Sequence, residues 1–525
     1  MIIFVKSMNK LFLALLSGLL LAFSWPSIGV FPLVFIAFIP LFILEKNSKK
    51  GKQVFWYSFL AFFIFNAITT YWVYHATLFG AIAAFFVNAT LMATAFWVFH
   101  KIKKATSNRL GYFSFIVLWI SMEYLHLNWD LSWPWLTLGN AFANSPSVVQ
   151  WYEFTGFLGG SLWIILINLL LFRAYQKQDK KKAILFPILV LLLPMGISFY
   201  SYFNFKEENK KSINVLIVQP NVDPYIDKFS KGYEEQLDDF ISLAKTKLTQ
   251  ETELLVGPET ALLEDIWENN LEVSYSVSVF RELQREFPNL NILVGATTFK
   301  MFGHGDKKTN TARELRDENI FYDVYNSGVF IPDSGDVQVY HKTKLVPGAE
   351  KMPFPALLDP LAKLAVNLGG TSGSLGSENY LNSFLADENV VSPLICYESV
   401  YGEMNLGKTN LLAIITNDGW WKNTAGYKQH FQYARLRAIE QRKSIVRSAN
   451  TGISCVINAK GEVLQQTNWD EALCLKATIN LNNTTTFYAN FGDYIGRISV
   501  FIAAMLLIVS FVKGRLKKIN WTFVI

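Results

Sequence analysis

The sequence predicts a polytopic α-helical membrane domain of about eight transmembrane helices, joined to an α/β domain that lies outside the cytoplasm. Three observations carry this expectation. The 525 residues are 51% hydrophobic and 15% aromatic with only 17% charged, a high apolar content for a soluble chain of that length. Seven apolar stretches stand before residue 206 and an eighth lies near the C-terminus. The Lys and Arg residues fall in short blocks between those stretches, so the net charge of +6 reads as membrane topology and not as a nucleic-acid surface.

In chain order the stretches run roughly from 9 to 24, 27 to 45, 54 to 75, 79 to 100, 111 to 127, 155 to 174, 183 to 203 and 496 to 512. Each is about the length that crosses ~30 Å of hydrocarbon. The first follows Lys6 as a signal peptide would, but no small-residue cleavage site is clear after Phe23 to Pro26 and six more stretches follow before residue 206, so it reads as an anchor. Residues 1–205 and 496–525 are thereby expected in the membrane domain and its basic tail, with 206–495 as the outer domain.

Orientation follows from the loops. With the N-terminus inside, the inner loops carry Lys46, Lys49, Lys50 and Lys52, then Lys101, Lys103, Lys104 and Arg109, then Arg173, Lys177, Lys180, Lys181 and Lys182. The outer loops, near 25, near 77 and from 128 to 154, carry no Lys or Arg. The tail with Lys513, Arg515, Lys517 and Lys518 falls inside again, as eight crossings require.

Between the last two stretches the texture changes. Ile213 to Gln219, Glu253 to Gly257, Asn291 to Gly295, Val391 to Cys396, Leu411 to Thr416 and Ile453 to Ala459 are short, apolar, β-rich runs that read as strands. From Tyr427 to Arg442, apolar Tyr427, Phe431, Ala434 and Ala438 recur at helical spacing while Lys428, Gln432, Arg435 and Arg442 take other faces, which predicts a packed, partly solvated helix. Such alternation points to an α/β domain with both sheet faces covered.

Six scattered histidines and three cysteines, Cys396, Cys455 and Cys474, show no metal-ligand spacing and no disulfide framework. No metal and no cofactor are expected. Cys455 and Cys474 read as core, with a disulfide between them left open.

Three polar residues stand where an apolar strand stops: Glu259 in Val-Gly-Pro-Glu-Thr, Lys342 in Tyr-His-Lys-Thr-Lys, and Cys396 in Pro-Leu-Ile-Cys-Tyr-Glu. Strand ends are where α/β folds collect their sites. A carboxylate, an ammonium and a thiol suffice for acyl transfer: Glu259 takes the thiol proton, Cys396 attacks a carbonyl, and Lys342 stabilises the oxyanion and favours the thiolate. Taken singly, each also reads blandly, the cysteine as a small core residue and the two charges as solvated loop groups.

The order Glu259, Lys342, Cys396, with Tyr397 and Glu398 after the cysteine, resembles the nitrilase superfamily, whose fold is an α-β-β-α sandwich and whose catalytic set is Glu, Lys and Cys. Apolar spans on both sides of such a domain resemble the apolipoprotein N-acyltransferase family in particular. Tyr325-Asn326-Ser327, Leu345-Val346-Pro347 leading to Glu350, Asn417-Asp418-Gly419-Trp420, and Gln429-His430 followed by Ala434-Arg435 and Arg437-Ala438 add to the likeness.

The resemblance implies transfer of a fatty acyl chain from a phospholipid, typically phosphatidylethanolamine, to the α-amine of a diacylglyceryl-cysteine lipoprotein. By the same resemblance the reaction is expected to be ping-pong, through a thioester on Cys396. It further implies a supporting role for Glu350, Tyr397 and Glu398, a bacterial inner membrane with the catalytic domain on the periplasmic side, and a monomer. Two departures stand out: Gly348-Ala349-Glu350 replaces the family's usual Phe-Gly-Glu, and Asp227-Lys228-Phe229 occupies the place of its usual Trp.

Apolar Met352 to Leu368 is expected to form either a lid touching the membrane or a helix packed on the domain. Trp420 and Trp421 suit either an interface or the core beside the nucleophile. Two competing functions fit parts of the pattern: a membrane-tethered amidase, in which water resolves the thioester, and a lipid transporter with an accessory domain. Spans almost free of charge apart from Glu123 argue against the transporter.

Overall fold

In a computed structural model the chain forms two compact units, one of Met1–Asn204 with Phe491–Ile525 and one of Phe205–Asn490. The structure describes residues 9–206, 211–223, 225, 231–303, 305–315, 319–355, 374–378, 383–386, 389–404 and 408–522. Positions 227–229 and most of the expected lid, from 356 onward, lie outside the described residues.

The first unit is helical. Its helices are α1 (Lys10–Ser24), α2 (Ile39–Lys46), α3 (Gly51–Thr70), α4 (Leu78–Ala105), α5 (Asn108–Leu127), α6 (Tyr152–Gln176), α7 (Leu185–Asn204) and, after the second unit, a final long helix beginning at Tyr494. Among the described residues six segments are long and apolar enough to cross a membrane: Gly51–His75, Leu78–Ala105, Asn108–Leu127, Tyr152–Gln176, Lys180–Asn204 and Tyr494–Arg515.

Two expectations change here. The stretch from 27 to 45 is not one helix: a 3-10 turn, Phe31–Phe35, is followed by α2, only eight residues long. Proline supplies the reason, since Pro32 and Pro40 each sit at a helix start, where a missing N–H and a fixed φ are tolerated and a continuous ladder is not. The segment from 128 to 154, assigned as an outer loop, is not an open one. It winds through three 3-10 turns, Pro134–Leu136, Leu138–Phe142 and Pro146–Val148, whose residues are largely buried. Irregular backbone at such a place needs internal partners, and Glu123 supplies one: its carboxylate accepts from Leu138 N and Trp119 Nε1, both at 2.9 Å.

The second unit is a four-layer α-β-β-α sandwich. One eight-stranded sheet holds β1 (Ser212–Gln219), β2 (Leu254–Val256), β3 (Leu262–Trp267), β4 (Asn291–Met301), β5 (Arg313–Glu314), β6 (Phe321–Ile331), β7 (Gln338–His341) and β14 (Leu473–Asn480). A six-stranded sheet holds β8 (Phe384–Ala386), β9 (Asn389–Ile395), β10 (Leu411–Thr416), β11 (Ser444–Ala449), β12 (Cys455–Ile457) and β13 (Val463–Gln466).

The alternation along β1 explains the layering. Val215 and Ile217 join Leu293, Phe330, Val391, Ile395, Ala413, Ile415 and Val446 in the core between the sheets. Leu216 and Val218 point the other way, into a second core with Leu237 and Phe240 of α8 (Tyr233–Lys245) and Val277 and Phe280 of α9 (Tyr275–Glu286). A strand buried on both faces must be apolar at nearly every position, which is why these strands stand out as short continuous runs. On the six-stranded sheet the outer helix is α10 (Ala425–Gln441). It is less solvated than its charges suggest: Arg437, Glu440 and the following Arg442 are all buried.

Candidate active site

The strand pattern brings chemistry to one place. Cys396 follows β9 directly, Asn417 follows β10, Lys342 follows β7, and Glu259 lies three residues beyond β2. In the register of β6 with β7, Ser327 faces His341, so Asn326 and Lys342 project to the same side of the pair. Lys342 N–H donates to the Asn326 carbonyl at 2.9 Å, fixing the residue just past the strand.

Lys342 is almost completely buried between two carboxylates. Its Nζ lies 3.0 Å from Glu259 Oε1 and 2.8 Å from Glu350 Oε1. Asn326 Nδ2 donates to the same two oxygens, at 2.8 Å and 2.9 Å. The backbone closes the lattice, with Asn417 N–H on Glu259 Oε2 at 3.1 Å and Val346 N–H on Glu350 Oε2 at 2.8 Å. Burial alone would push the Lys342 ammonium down, but the Glu259 and Glu350 charges outweigh it and hold it above the ordinary lysine range. The bland expectation of solvated loop charges is therefore wrong for both Glu259 and Lys342.

Cys396 opens a 3-10 turn, Cys396–Val400, at a left-handed φ of +49°. A non-glycine residue there costs of order 1–3 kcal/mol and persists only where its surroundings over-determine it. Glu398 provides much of that constraint. Its Oε2 accepts from Ile395 N at 2.7 Å, and its Oε1 accepts from Tyr340 OH, Thr343 N and Thr343 Oγ1, each at 2.7 Å. Glu398 thus ties the cysteine turn to the loop that carries Lys342. Tyr397 is buried and packs edge-on against Tyr401 at 5.3 Å.

Burial and the Glu259 carboxylate push the Cys396 thiol well above its ordinary value, more than Lys342 pulls it down. Lys342 pulls toward the thiolate, as its charge predicts, against the opposing effects of burial and Glu259. Cys455 and Cys474 are also free, buried thiols, so no bond joins them in the structure. Trp421 packs on His430 at 5.4 Å and joins the inter-sheet core, which decides for packing over an interface at that residue.

Two glycines make room. A Cβ on Gly295 would fall 2.6 Å from Glu259 Cα, Pro258 O and Thr260 N, so only glycine lets the Glu259 segment cross β4. A Cβ on Gly452 would meet Asp418 Oδ2 at 2.6 Å. Asn326 and Asn417 carry much of the lattice, yet they appear in the sequence only as parts of short motifs with no role attached.

Two family models match the chain: the apolipoprotein N-acyltransferase N-terminal domain over residues 17–170 and carbon-nitrogen hydrolase over 217–489. An apolipoprotein N-acyltransferase of Chlorobaculum tepidum is 30% identical across 96% of this chain and 97% of its own length. The chain belongs to the apolipoprotein N-acyltransferase family. Another apolipoprotein N-acyltransferase, from Haemophilus influenzae, is 28% identical over 88% of each chain. Among solved structures, an amidase from Nesterenkonia is 14% identical, with 56% of this chain and 98% of that one covered at a TM-score of 0.35. Family membership and six apolar helices of membrane-crossing length make this a multi-pass bacterial membrane protein with a carbon-nitrogen-hydrolase-type α/β unit, and an N-acyltransferase.

Proposed function

We propose that the protein moves a fatty acyl chain from a glycerophospholipid, phosphatidylethanolamine foremost, to the α-amine of a diacylglyceryl-cysteine lipoprotein, through a thioester on Cys396. One observation carries the assignment of roles: a strained cysteine at a strand end, in the electrostatic field of a buried Glu259–Lys342 pair.

In the first half-reaction Glu259 takes the Sγ proton as sulfur attacks the ester carbonyl carbon, and the carbonyl electron pair moves onto oxygen. Lys342 stabilises that oxyanion. Collapse breaks the acyl C–O bond, and the departing glycerol oxygen takes the proton from Glu259, so a lysophospholipid leaves. In the second half the lipoprotein amine attacks the thioester, gives a proton to Glu259, and expels the Cys396 sulfur, which recovers it. The product is an amide and the enzyme returns to its starting protonation. Glu350 and Asn326 act through Lys342 and Glu259 by holding both in place, and Glu398 and Tyr397 hold the cysteine turn.

The absence of Lys and Arg from the loops near 25, near 77 and from 128 to 154 supports a bacterial inner membrane with the catalytic unit on the periplasmic side. A lipid donor accounts for the attachment of the α/β unit to apolar helices at both ends; a small polar amide would gain nothing from them. The test is transfer itself. Full-length protein in phosphatidylethanolamine vesicles, given a diacylglyceryl-cysteine peptide, is expected to yield the peptide acylated on its amine. A thioester that water discharges and the peptide does not would favour the amidase reading.

A further inference from the structure

A second buried group of polar side chains grips the main chain of Cys396. Asp418, His430 and Arg447 come from the turn after β10, from α10 and from β11, and their side chains are fully buried. Arg447 Nη2 reaches the two Asp418 oxygens at 3.0 Å and 2.7 Å, and Thr416 Oγ1 donates to Asp418 Oδ1 at 3.1 Å. His430 Nδ1 lies 2.9 Å from Asp418 Oδ1 and 3.0 Å from Arg447 Nη2. The other ring nitrogen, Nε2, lies 3.0 Å from the Cys396 carbonyl oxygen and 2.8 Å from Ser399 Oγ, and Ser399 Oγ donates to that same carbonyl at 2.7 Å.

A carbonyl oxygen only accepts, so in that contact Nε2 is the donor. Gly452 leaves space for the Asp418 carboxylate that flanks the ring. A histidine placed only to fill a core has no reason to spend its donor on the carbonyl of Cys396, a residue held at φ +49°. That carbonyl and the N–H of Tyr397 belong to one planar trans peptide, so fixing the first fixes the direction of the second.

We propose that His430 is a positioning residue for acyl transfer: its Nε2–H holds the Cys396 carbonyl, and thereby the left-handed turn that aims the thiol, while Asp418 and Arg447 hold the imidazole. The inference rests on Cys396 as the nucleophile. Its action is on the rate of the acylation step and not on lipid binding.

The test is single-turnover acylation of full-length protein by phosphatidylethanolamine, followed by intact mass, for the native chain, C396A, H430L, H430Q and S399A. H430L is expected to acylate about 100-fold more slowly, the scale of a misaimed reacting group. Its apparent KM for the phospholipid should stay within about twofold. H430Q places an amide N–H near the lost Nε2–H and is expected to recover the rate to within about tenfold of the native chain. S399A, which removes the other donor to the same carbonyl from a small side chain, should slow acylation about fivefold. An unchanged rate in folded H430L, or equal losses in H430L and H430Q, overturns the proposal. So does loss of folded H430L combined with an unchanged rate in S399A, which reduces the histidine to a core residue. Absence of any adduct on the native chain, as in C396A, defeats the nucleophile reading itself and the proposal with it.

Discussion

At the scale of single residues, the site is a balance of buried charges. Lys342 sits between Glu259 and Glu350, so removing it leaves two carboxylates with no cation between them. Lys342→Met is therefore expected to cost about 3–5 kcal/mol of stability, the scale for breaking a buried pair. It should also lower turnover by at least about 10²-fold through loss of the oxyanion partner. Thermal unfolding and steady-state acyl transfer read the two effects separately. Glu259→Gln keeps the shape and removes the proposed base, with an expected loss of about 10²–10⁴-fold in acylation. Because burial and Glu259 both raise the Cys396 thiol, the same variant should move the alkylation profile of Cys396 with iodoacetamide toward lower pH. A Glu259→Gln protein that turns over normally would remove the carboxylate from the mechanism.

At the scale of elements, the site depends on how closely strands pass. Gly295→Ala places a methyl against the Glu259 backbone on β4, where main chain cannot give way easily. A loss of about 1–3 kcal/mol is expected from such overpacking, with acyl transfer falling more than stability because Glu259 itself must shift. On the reverse face of the β6–β7 pair, His341 stacks on Tyr325 at 3.8 Å and lies 2.5 Å from Glu268 Oε1 and 2.9 Å from Glu378 Oε1. Burial would lower its pKa, but the two carboxylates raise it above 6.5, so the folded state holds the proton more tightly than the unfolded chain. This contribution is complete below 6.5 and is lost as pH rises through the raised value. The melting temperature of His341→Gln should accordingly fall furthest below the native value under mildly acidic conditions, with the gap closing as pH rises. A gap that does not change with pH would contradict a charged His341.

The elements also mark what the sequence made legible. β1, β2, β4, β9, β10 and β12 are apolar on both faces and stand out as short hydrophobic runs. β6 was hidden because it carries Asp323, Asn326, Ser327 and Gly328 in mid-strand, polar or small residues that read as a loop, Asn326 among them serving the site. β7 and β11 were hidden by His341 and Arg447 for the same reason. Glu259, Lys342 and Cys396 could be picked out one by one from the strand ends they follow. The lattice joining them could not, because Asn326 and Glu350 reach Lys342 only through the fold. The Asp418–His430–Arg447 group has no local spacing at all, its members being brought together from three elements. The stretch from 27 to 45 shows the opposite case, its continuous hydropathy masking the two prolines that divide the segment.

At the scale of the whole molecule, the basic loops and the apolar spans argue for one orientation. A cysteine introduced at exposed Lys245 of the α/β unit should react with a membrane-impermeant maleimide in cells whose outer membrane has been permeabilised. One introduced at exposed Lys177, between the segments Tyr152–Gln176 and Lys180–Asn204 and assigned to the cytoplasm, should react only after lysis. The reverse pattern would invert the topology. On the proposed reading, a catalytic unit on that side meets phospholipid and secreted lipoprotein together, and one acyl group passes from the first to the second through one sulfur. The most direct measurement is therefore intact mass spectrometry of the full-length protein after incubation with phosphatidylethanolamine, native chain against Cys396→Ala. The account requires one added fatty acyl mass on the native chain, none on the variant, and its discharge to the amine of a diacylglyceryl-cysteine peptide. A folded native protein that gains no acyl mass would contradict it.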